Sequence, residues 1–397
     1  MKMKNINNKV WAKVAGYALC GTIIAGGMMS LAACSSDDNE VNNEGEECDI
    51  VFGAVVEDIQ DKDTRSLFHN STEFNTKGRE ILVCSYKYKD LVANPTAVFV
   101  NQVVTCTTEG EGKSATWTYS PTKYWDRQTN YHYLAQSPVT NTNSAGTDTY
   151  ADFNTAADKM LVTIGQFPQW QNVNAATKDL MFATASGKYN PNSADNAFPD
   201  GYVSFNFYHA LTQITVQAYT PDEAFNNLFR IKSIKFGKPG EGSQVPDGAN
   251  SATCTYELAK ATTGSKEEVW SDKTFANSYT AFTNSDGEAL EYAEKHEDAQ
   301  HITSNVAVPF NVSNGLALSV EYSYNGGTPQ TVDIVLDGSE IAGSDPKAYM
   351  PTLKDLERGK NYVITLRFTT TLGEPIHVTV DVADWQDKDI NHTIYNW

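Results

Sequence analysis

The chain has 397 residues, of which 20% are charged, and a formal net charge of −19. This length exceeds what one small hydrophobic core requires, so two domains are the natural expectation. The acidic balance argues against nucleic acid and anionic membrane surfaces as partners, because both repel negative charge.

The first 33 residues have the pattern of a lipoprotein signal peptide. Four lysines and no acidic residue precede or enter an apolar run, 14–29, that is shorter than a membrane-spanning helix requires. The run ends in Leu-Ala-Ala-Cys, a lipobox whose cysteine is Cys34. We therefore expect removal of residues 1–33, which moves the formal charge from −19 to −23, and acylation of Cys34 by fatty acids such as palmitate.

Residues 34–48 are polar and acidic, which predicts a disordered tether. An acidic stretch directly after a lipidated cysteine resembles the surface-export signal of lipoproteins in gram-negative anaerobes. A simple solvated linker is the alternative. The interpretation we follow is a surface-exposed protein held to the outer membrane by its lipid.

Strand patterns dominate the rest of the chain, because apolar and polar residues alternate with period two. In the first half, the predicted strands span 49–56, 80–88, 97–104, 115–119, 130–135, 203–207 and 213–219. A boundary near Thr220 and Pro221 divides the chain into an N-terminal domain, 49–221, and a C-terminal domain, 222–397.

In the second half, the predicted strands span 229–236, 315–324, 331–336, 361–368 and 376–382. The sequence Asn325-Gly326-Gly327 predicts a tight turn between two of them. The polar stretches 138–158 and 238–300 predict long surface loops or insertions. Short strands separated by turns predict an all-β fold with two β-sandwich domains.

Four cysteines follow the lipobox: Cys48, Cys84, Cys106 and Cys254. Their spacing matches no zinc motif. Cys84 and Cys106 lie in neighbouring predicted strands, where a disulfide across a hairpin and two buried free thiols are both compatible with the sequence.

Aromatic and apolar motifs recur in order along the chain: a Trp-x-Tyr strand leads to a Tyr-Trp pair and an aromatic strand, and a later strand ends at His-Ala-Leu. Together these segments resemble the fimbrillin-like family of type V pilin subunits. Each motif is weak alone, but their order together with a lipobox is fairly specific. The segments that carry the resemblance are 117–125, 131–135, 179–183, 203–216, 359–366 and 380–385.

The resemblance implies two transthyretin-like, Greek-key sandwich domains and a structural, adhesive role in cell-surface fimbriae. It also implies that a trypsin-like protease removes the first strand by cutting after an arginine, and that a strand of the next subunit fills the groove. Arg65–Ser66 is our candidate for that cut, and Lys62, Lys77 and Arg79 are competing basic sites. The implied partners are other fimbrial subunits and a host protein or glycan receptor.

The expected donor strand lies near the C-terminus. Its apolar residues are spaced to fill pockets in a neighbour's groove. Packing of this tail on its own domain is the alternative. The donor-strand candidates are Ile376, Val378, Val380, Val382, Trp385, Ile390, Ile394 and Trp397.

Signals of enzymatic chemistry are weak, and we predict no catalytic residue, metal or cofactor. The chain has neither a His-Glu-x-x-His motif nor a phosphate-binding glycine loop. His209 follows an alternating strand and is interpreted as structural, and His296 with His301 lies in a polar, charged segment. The alternative function is a glycan-binding surface lipoprotein of polysaccharide uptake, with Trp170 and Trp270 as candidates for stacking on sugars.

Overall fold

The computed structural model describes residues 48–56, 74–89, 95–110, 114–137, 139, 152–154, 159–174, 179–237, 245–257, 269–340, 349–369 and 376–384. Cys34, Arg65, Ser66, Trp385, Ile390, Ile394 and Trp397 lie outside these ranges. The elements of the described residues are β-strands with a few short 3-10 turns, so the predicted all-β fold class is confirmed.

The strands are numbered in chain order. The first twelve are β1 (Val51–Val56), β2 (Glu80–Tyr88), β3 (Thr96–Thr108), β4 (Thr116–Thr118), β5 (Thr129–Ser137), β6 (Asp152–Asn154), β7 (Lys159–Pro168), β8 (Trp170–Asn172), β9 (Met181–Tyr189), β10 (Tyr202–His209), β11 (Thr212–Tyr219) and β12 (Phe229–Phe236). The others are β13 (Val245–Pro246), β14 (Ser251–Glu257), β15 (Trp270–Ser271), β16 (Phe275–Ala276), β17 (Tyr279–Ala289), β18 (Gln300–Ala307), β19 (Phe310–Asn311), β20 (Leu316–Tyr324), β21 (Gln330–Leu336), β22 (Asp355–Leu356), β23 (Lys360–Phe368) and β24 (Ile376–Asp384).

The N-terminal strands close into a barrel in the order β1-β10-β9-β5-β2-β3-β4, with β1 also paired to β4. Along each strand every second side chain points inward, because the side chains of a pleated strand alternate between its two faces. In β10 these are Val203, Phe205 and Phe207, which pack in one core with Tyr131 and Tyr133 of β5. The barrel interior is therefore filled largely by aromatic rings.

The C-terminal strands form two sheets that share one core. One sheet has the order β24-β23-β11-β18-β8, and the other has the order β17-β12-β20-β21. Ile214 and Val216 of β11 lie in the same buried cluster as Ile231 and Ile234 of β12. This half of the chain is a β-sandwich.

Residues of a third sheet, β15-β14-β7-β6, and of the outer face of the barrel together form a separate buried hydrophobic cluster. Phe182 of the barrel lies in this cluster with Phe167, Cys254 and Trp270. The indole N–H of Trp270 donates to the carbonyl of Ala210, 2.9 Å away, between β10 and β11. Two short pairs, β13-β16 and β19-β22, complete the sheets of the described residues.

Several sequence predictions can be compared directly with this fold. Asn325 and Gly326 both have positive φ at the hairpin of β20 and β21, as the predicted turn requires. Strand β11, which lies before the predicted boundary near Pro221, pairs with β18 and β23 of the C-terminal half. The division into domains 49–221 and 222–397 stays a prediction.

Of the two interpretations of residues 238–300, that of a surface loop was wrong, because the described part of this range contains strands β13 to β17. Strand β17 buries Ala281 and Gly287 and is polar from Thr283 to Asp286, so its sequence carries little apolar alternation. The four cysteines of the described residues are free thiols. The Cys84 thiol lies 3.4 Å from the Asn101 side-chain oxygen, and the Cys106 thiol lies 3.3 Å from the Thr108 carbonyl.

Candidate functional site

The candidate site is the first strand and the space that it occupies in the barrel. Strand β1 runs parallel to β10, in a register that extends from the pair Val51–Tyr202 to the pair Val56–Phe207. On its other side, β1 is antiparallel to β4. Since β1 has a neighbour on both sides, it closes the barrel.

The chain just before β1 is also held by backbone hydrogen bonds. The Ile50 N–H donates to the carbonyl of Lys123 at 2.9 Å, and the Trp125 N–H donates to the carbonyl of Cys48 at 3.0 Å. The first strand and its entry are therefore integrated into the N-terminal fold.

The side chains of the first strand alternate between the core and the outside. Ile50, Phe52 and Ala54 are buried, whereas Val51 is 38% exposed. Burial of a residue such as Ile or Phe contributes roughly 1.5–3 kcal/mol. The inward row therefore supplies most of the apolar energy that holds β1 in place.

Phe52 lies at the centre of an aromatic pocket. Its ring centroid is 5.3 Å from those of Phe99 and Tyr119, 5.7 Å from that of Phe205 and 6.0 Å from that of Tyr133. Three of these contacts are edge-to-face and the Phe205 contact is stacked, both of which are favourable arrangements of aromatic pairs.

Two polar side chains, the half-buried Tyr119 and the buried Asn75, bind the backbone of the first strand. The Tyr119 hydroxyl donates to the carbonyl of Ile50 at 2.8 Å, and the Asn75 amide donates to the carbonyls of Ala54 at 2.9 Å and Gly110 at 3.1 Å. Burial raises the pKa of Tyr119 to about 12, so its hydroxyl keeps its proton at neutral pH. These two donors fix both ends of the inward row.

Loss of β1 would leave a gap of about two strand spacings, roughly 10 Å, between β10 and β4. The backbone groups of β10 that now pair with β1 would become an open edge, next to an empty aromatic pocket. An edge of this kind is a template for an added strand. The geometry thus suits exchange of the first strand for another extended segment.

The predicted cut, Arg65–Ser66, falls in the chain between Val56 and Phe74 and lies outside the described residues. The competing site Arg79 is held by the fold, because its N–H donates to the Thr76 carbonyl and its carbonyl accepts from the Cys106 N–H. Its guanidinium lies 5.8 Å from the centre of the Phe74 ring.

The C-terminal donor candidates that the structure describes lie in their own sandwich. Ile376, Val378 and Val380 are buried in its core, and Val382 packs partly buried against it. Strand β24 pairs with β23 along its full length, from Ile376 to Asp384. β24 is the edge strand of its sheet, with β23 as its one neighbour in the described part of the chain.

The histidines and tryptophans considered in the sequence analysis are in contact with other parts of the fold. His209 lies with its Nδ1 atom 2.8 Å from Asp179 Oδ2, and both side chains are fully buried. Trp170 and Trp270 are 3% and 4% exposed, so their rings are not available for stacking on a ligand. His301 Nε2 lies 2.9 Å from the Ser304 hydroxyl.

The residues that the structure describes contain neither a candidate metal cluster nor a candidate membrane-spanning helix. In those ranges, no three His, Cys, Asp or Glu side chains are grouped as ligands of one metal ion. The same ranges contain no helix with the length and apolar character of a membrane span.

Sequence reasoning missed the hydrogen bonds that Tyr119 and Asn75 donate to the backbone of the first strand. The alternation around Trp117 predicted a strand there, but the hydrogen bond of Tyr119 to Ile50 joins residues that are 69 positions apart. Asn75 carries no local signal, since its partners Ala54 and Gly110 are brought to it by the barrel.

The solved structures that are similar to this chain are distant from it in sequence. No curated protein matches the chain. Among solved structures, a candidate cell adhesion protein from Bacteroides uniformis is 16% identical, with 85% of this chain and 98% of that chain covered and a TM-score of 0.47.

Two fimbrial proteins from Porphyromonas gingivalis are also similar. The tip fimbrial protein Mfa3 is 11% identical over 85% of this chain and 100% of its own, with a TM-score of 0.39. The fimbrial anchor protein Mfa2 is 12% identical over 87% of this chain and 100% of its own, with a TM-score of 0.29. The profile of the family described as Fimbrillin-like matches residues 64–385, which is most of the sequence. The chain therefore belongs to the fimbrillin-like family.

Proposed function

We propose that this protein is a non-enzymatic structural and adhesive subunit of cell-surface fimbriae. It is exported as a lipoprotein acylated on Cys34 and assembles by exchange of strands between subunits. Family membership supports the fimbrial role. Its partners are other fimbrial subunits, the outer-membrane lipid and a receptor on a host protein or glycan.

The observation that carries the assembly step is the position of the first strand. β1 lies between two strands, buries Phe52 and is followed by the polar segment that contains Arg65. A cut after Arg65 would break the covalent link between β1 and the rest of the barrel. The strand that replaces it comes from a neighbouring subunit, and the C-terminal candidates Ile376–Trp397 are one source.

The replacement strand can form a stable joint without a covalent bond. Three or four buried apolar side chains contribute roughly 1.5–3 kcal/mol each. Each backbone hydrogen bond of the restored ladder contributes about 1 kcal/mol. Together these are enough to hold subunits in a filament.

The glycan-binding alternative is not favoured, since its stacking candidates Trp170 and Trp270 are buried. Retention of lipid and of an uncut first strand favours an anchor role, whereas release at Arg65 favours a stalk role. N-terminal sequencing of surface-extracted protein distinguishes the two: it gives Ser66 for a cut subunit and a blocked Cys34 for an anchored one.

A direct test is limited treatment of the purified mature chain with an arginine-specific protease, with Arg65→Gln as the variant and Lys62→Gln as the matched control. Mixed with fimbrial subunits extracted from the same cell surface, the wild type and Lys62→Gln should lose the first strand and enter detergent-resistant oligomers on gels run cold, and Arg65→Gln should stay monomeric. The proposal fails if the cut wild-type chain loses its first strand yet remains monomeric in that mixture at all concentrations.

A further inference from the structure

Gly53 stands in the middle of the first strand, where glycine is normally unfavourable. Its backbone is not in the left-handed region, so conformation does not require glycine. The reason is space. A Cβ atom at this position would lie 1.4 Å from the hydroxyl oxygen and 2.1 Å from Cζ of Tyr202.

Tyr202 covers Gly53 from the outer face of the barrel. It begins β10, where it is paired with Val51, and its ring reaches along the neighbouring strand to Gly53. The hydroxyl oxygen of Tyr202 is buried, and this burial raises the pKa of Tyr202 to about 12. A side chain at position 53 would therefore require Tyr202 to leave its place.

Phe52, on the opposite face of the same strand, imposes a second requirement on the sequence of any strand that occupies the groove. Its pocket is formed by four aromatic rings and is filled by a fifth. A strand that occupies the groove in the register of β1 must thus place an aromatic residue inward and a residue without a side chain next to it. We call this sequence the aromatic–glycine pair.

The C-terminal donor candidates of this chain do not contain the pair, because residues 376–397 include no glycine. In the whole sequence an aromatic residue precedes glycine at two places, Phe52-Gly53 and Phe236-Gly237. Phe236 is buried at the end of β12, which is a central strand of the sandwich. A second copy of this chain could expose Phe236 only by unfolding.

We infer that the groove of this subunit selects a donor strand with an aromatic–glycine pair, that Tyr202 is the selecting residue, and that the donor belongs to a subunit of different sequence. This inference rests on the proposed function, since it concerns the strand that replaces β1. At this joint the filament therefore contains two subunits of different sequence.

The test uses the full mature chain with a site-specific protease sequence placed between Val56 and Phe74. After the cut, fluorescently labelled peptides in excess displace the released segment, and their affinity is measured by anisotropy. The peptides are native 48–56 with Cys48→Ser, the same peptide with Gly53→Val, the same peptide with Val51→Thr as the outward-facing control, and 376–384.

The native and Val51→Thr peptides should bind within about twofold of each other, whereas Gly53→Val and 376–384 should bind at least about tenfold more weakly. Valine favours extended strands more than glycine does, so strand propensity acts against this result. The Tyr202→Ala variant should recover binding of the Gly53→Val peptide, and Tyr202→Phe, which keeps the ring, should not.

Equal binding of the native and Gly53→Val peptides to the wild-type chain overturns the inference while the proposed function stands. A loss that Tyr202→Ala does not relieve also overturns it. The comparison of the native and Gly53→Val peptides uses the chain with Tyr202 intact, so it tests the inference even if Tyr202→Ala does not fold. If the native peptide does not bind the cut chain at all, the proposed function itself fails.

Discussion

Replacement of Phe52 by alanine tests the central role of the first strand. The side chain is fully buried and contacts four aromatic rings. Removal of a buried Phe ring typically costs about 3–5 kcal/mol, and the cost is highest where neighbours cannot collapse into the cavity. Because the flat rings around Phe52 are held on four different strands or turns, we expect a loss in the upper part of that range.

The assay is urea denaturation followed by circular dichroism, together with hydrogen exchange of the amides in β1 and β10. With a urea dependence of about 2 kcal/mol per M, a loss of about 4 kcal/mol lowers the midpoint of the barrel by about 2 M. Val51→Ala is the matched control, since Val51 lies next to Phe52 but faces outward and should change stability by less than about 1 kcal/mol.

Amides of β12 and β20 serve as an internal control, because these strands lie in the separate core of the C-terminal sandwich. Phe52→Ala should speed exchange in the barrel and leave exchange in β12 unchanged. Equal midpoints for Phe52→Ala and Val51→Ala would refute the argument that the inward row holds β1.

Three further measurements follow from the same region. Asn75→Ala removes the donor to two carbonyls and should lower the stability of the barrel by about 1–3 kcal/mol in urea, with Lys77→Ala, in an exposed turn, as the unaffected control. Burial raises the pKa of Tyr119 and Tyr202 to about 12, above the value near 10 of unfolded tyrosine, so the folded chain holds these protons more tightly. Stability should therefore be level below pH ~9.5 and fall between pH ~10 and ~12, and a midpoint that rises over this window contradicts the assignment. Burial also raises the pKa of the Cys84 thiol to about 11, so iodoacetamide at pH 8 should label the half-buried Cys48 first and Cys84 only after denaturation, as mass spectrometry of the native chain would show.

Strands with one polar and one apolar face were predictable from the sequence. Residues 229–236 were predicted as a strand and form β12 with those bounds, because Phe229, Ile231, Ile234 and Phe236 all point into one core. The turn at Asn325 was predictable for a similar reason, since its conformation depends on local residue types.

Strands whose buried face is polar were missed. β18 buries Thr303, Ser304 and Asn305 at the centre of its sheet. The Ser304 hydroxyl lies 3.1 Å from that of Thr215, and Asn305 accepts a hydrogen bond from the Trp170 indole at 3.4 Å. Partners so distant in sequence satisfy these polar groups, so no local pattern of hydrophobicity reveals the strand.

The candidate site depends even more on distant contacts. The pattern of residues 49–56 predicted a strand, but the parallel pairing of β1 with β10 joins segments about 150 residues apart, as in Val51 with Tyr202. Glycine within a strand is a signal of close approach by another group. Gly53 could therefore have been flagged from the sequence, although Tyr202 as its neighbour could not.

The pairing of β1 explains why a cut is needed for the proposed exchange. β1 has neighbours on both sides, so its loss creates two edges. In the uncut chain the link through residues 57–73 keeps β1 at an effective concentration on the order of millimolar near its groove. A neighbour's strand at micromolar concentration competes poorly with that, even if both strands fit equally well. Cleavage removes this advantage from β1, while the donor strand stays covalently attached to its own subunit, and the balance then shifts towards the joint between subunits.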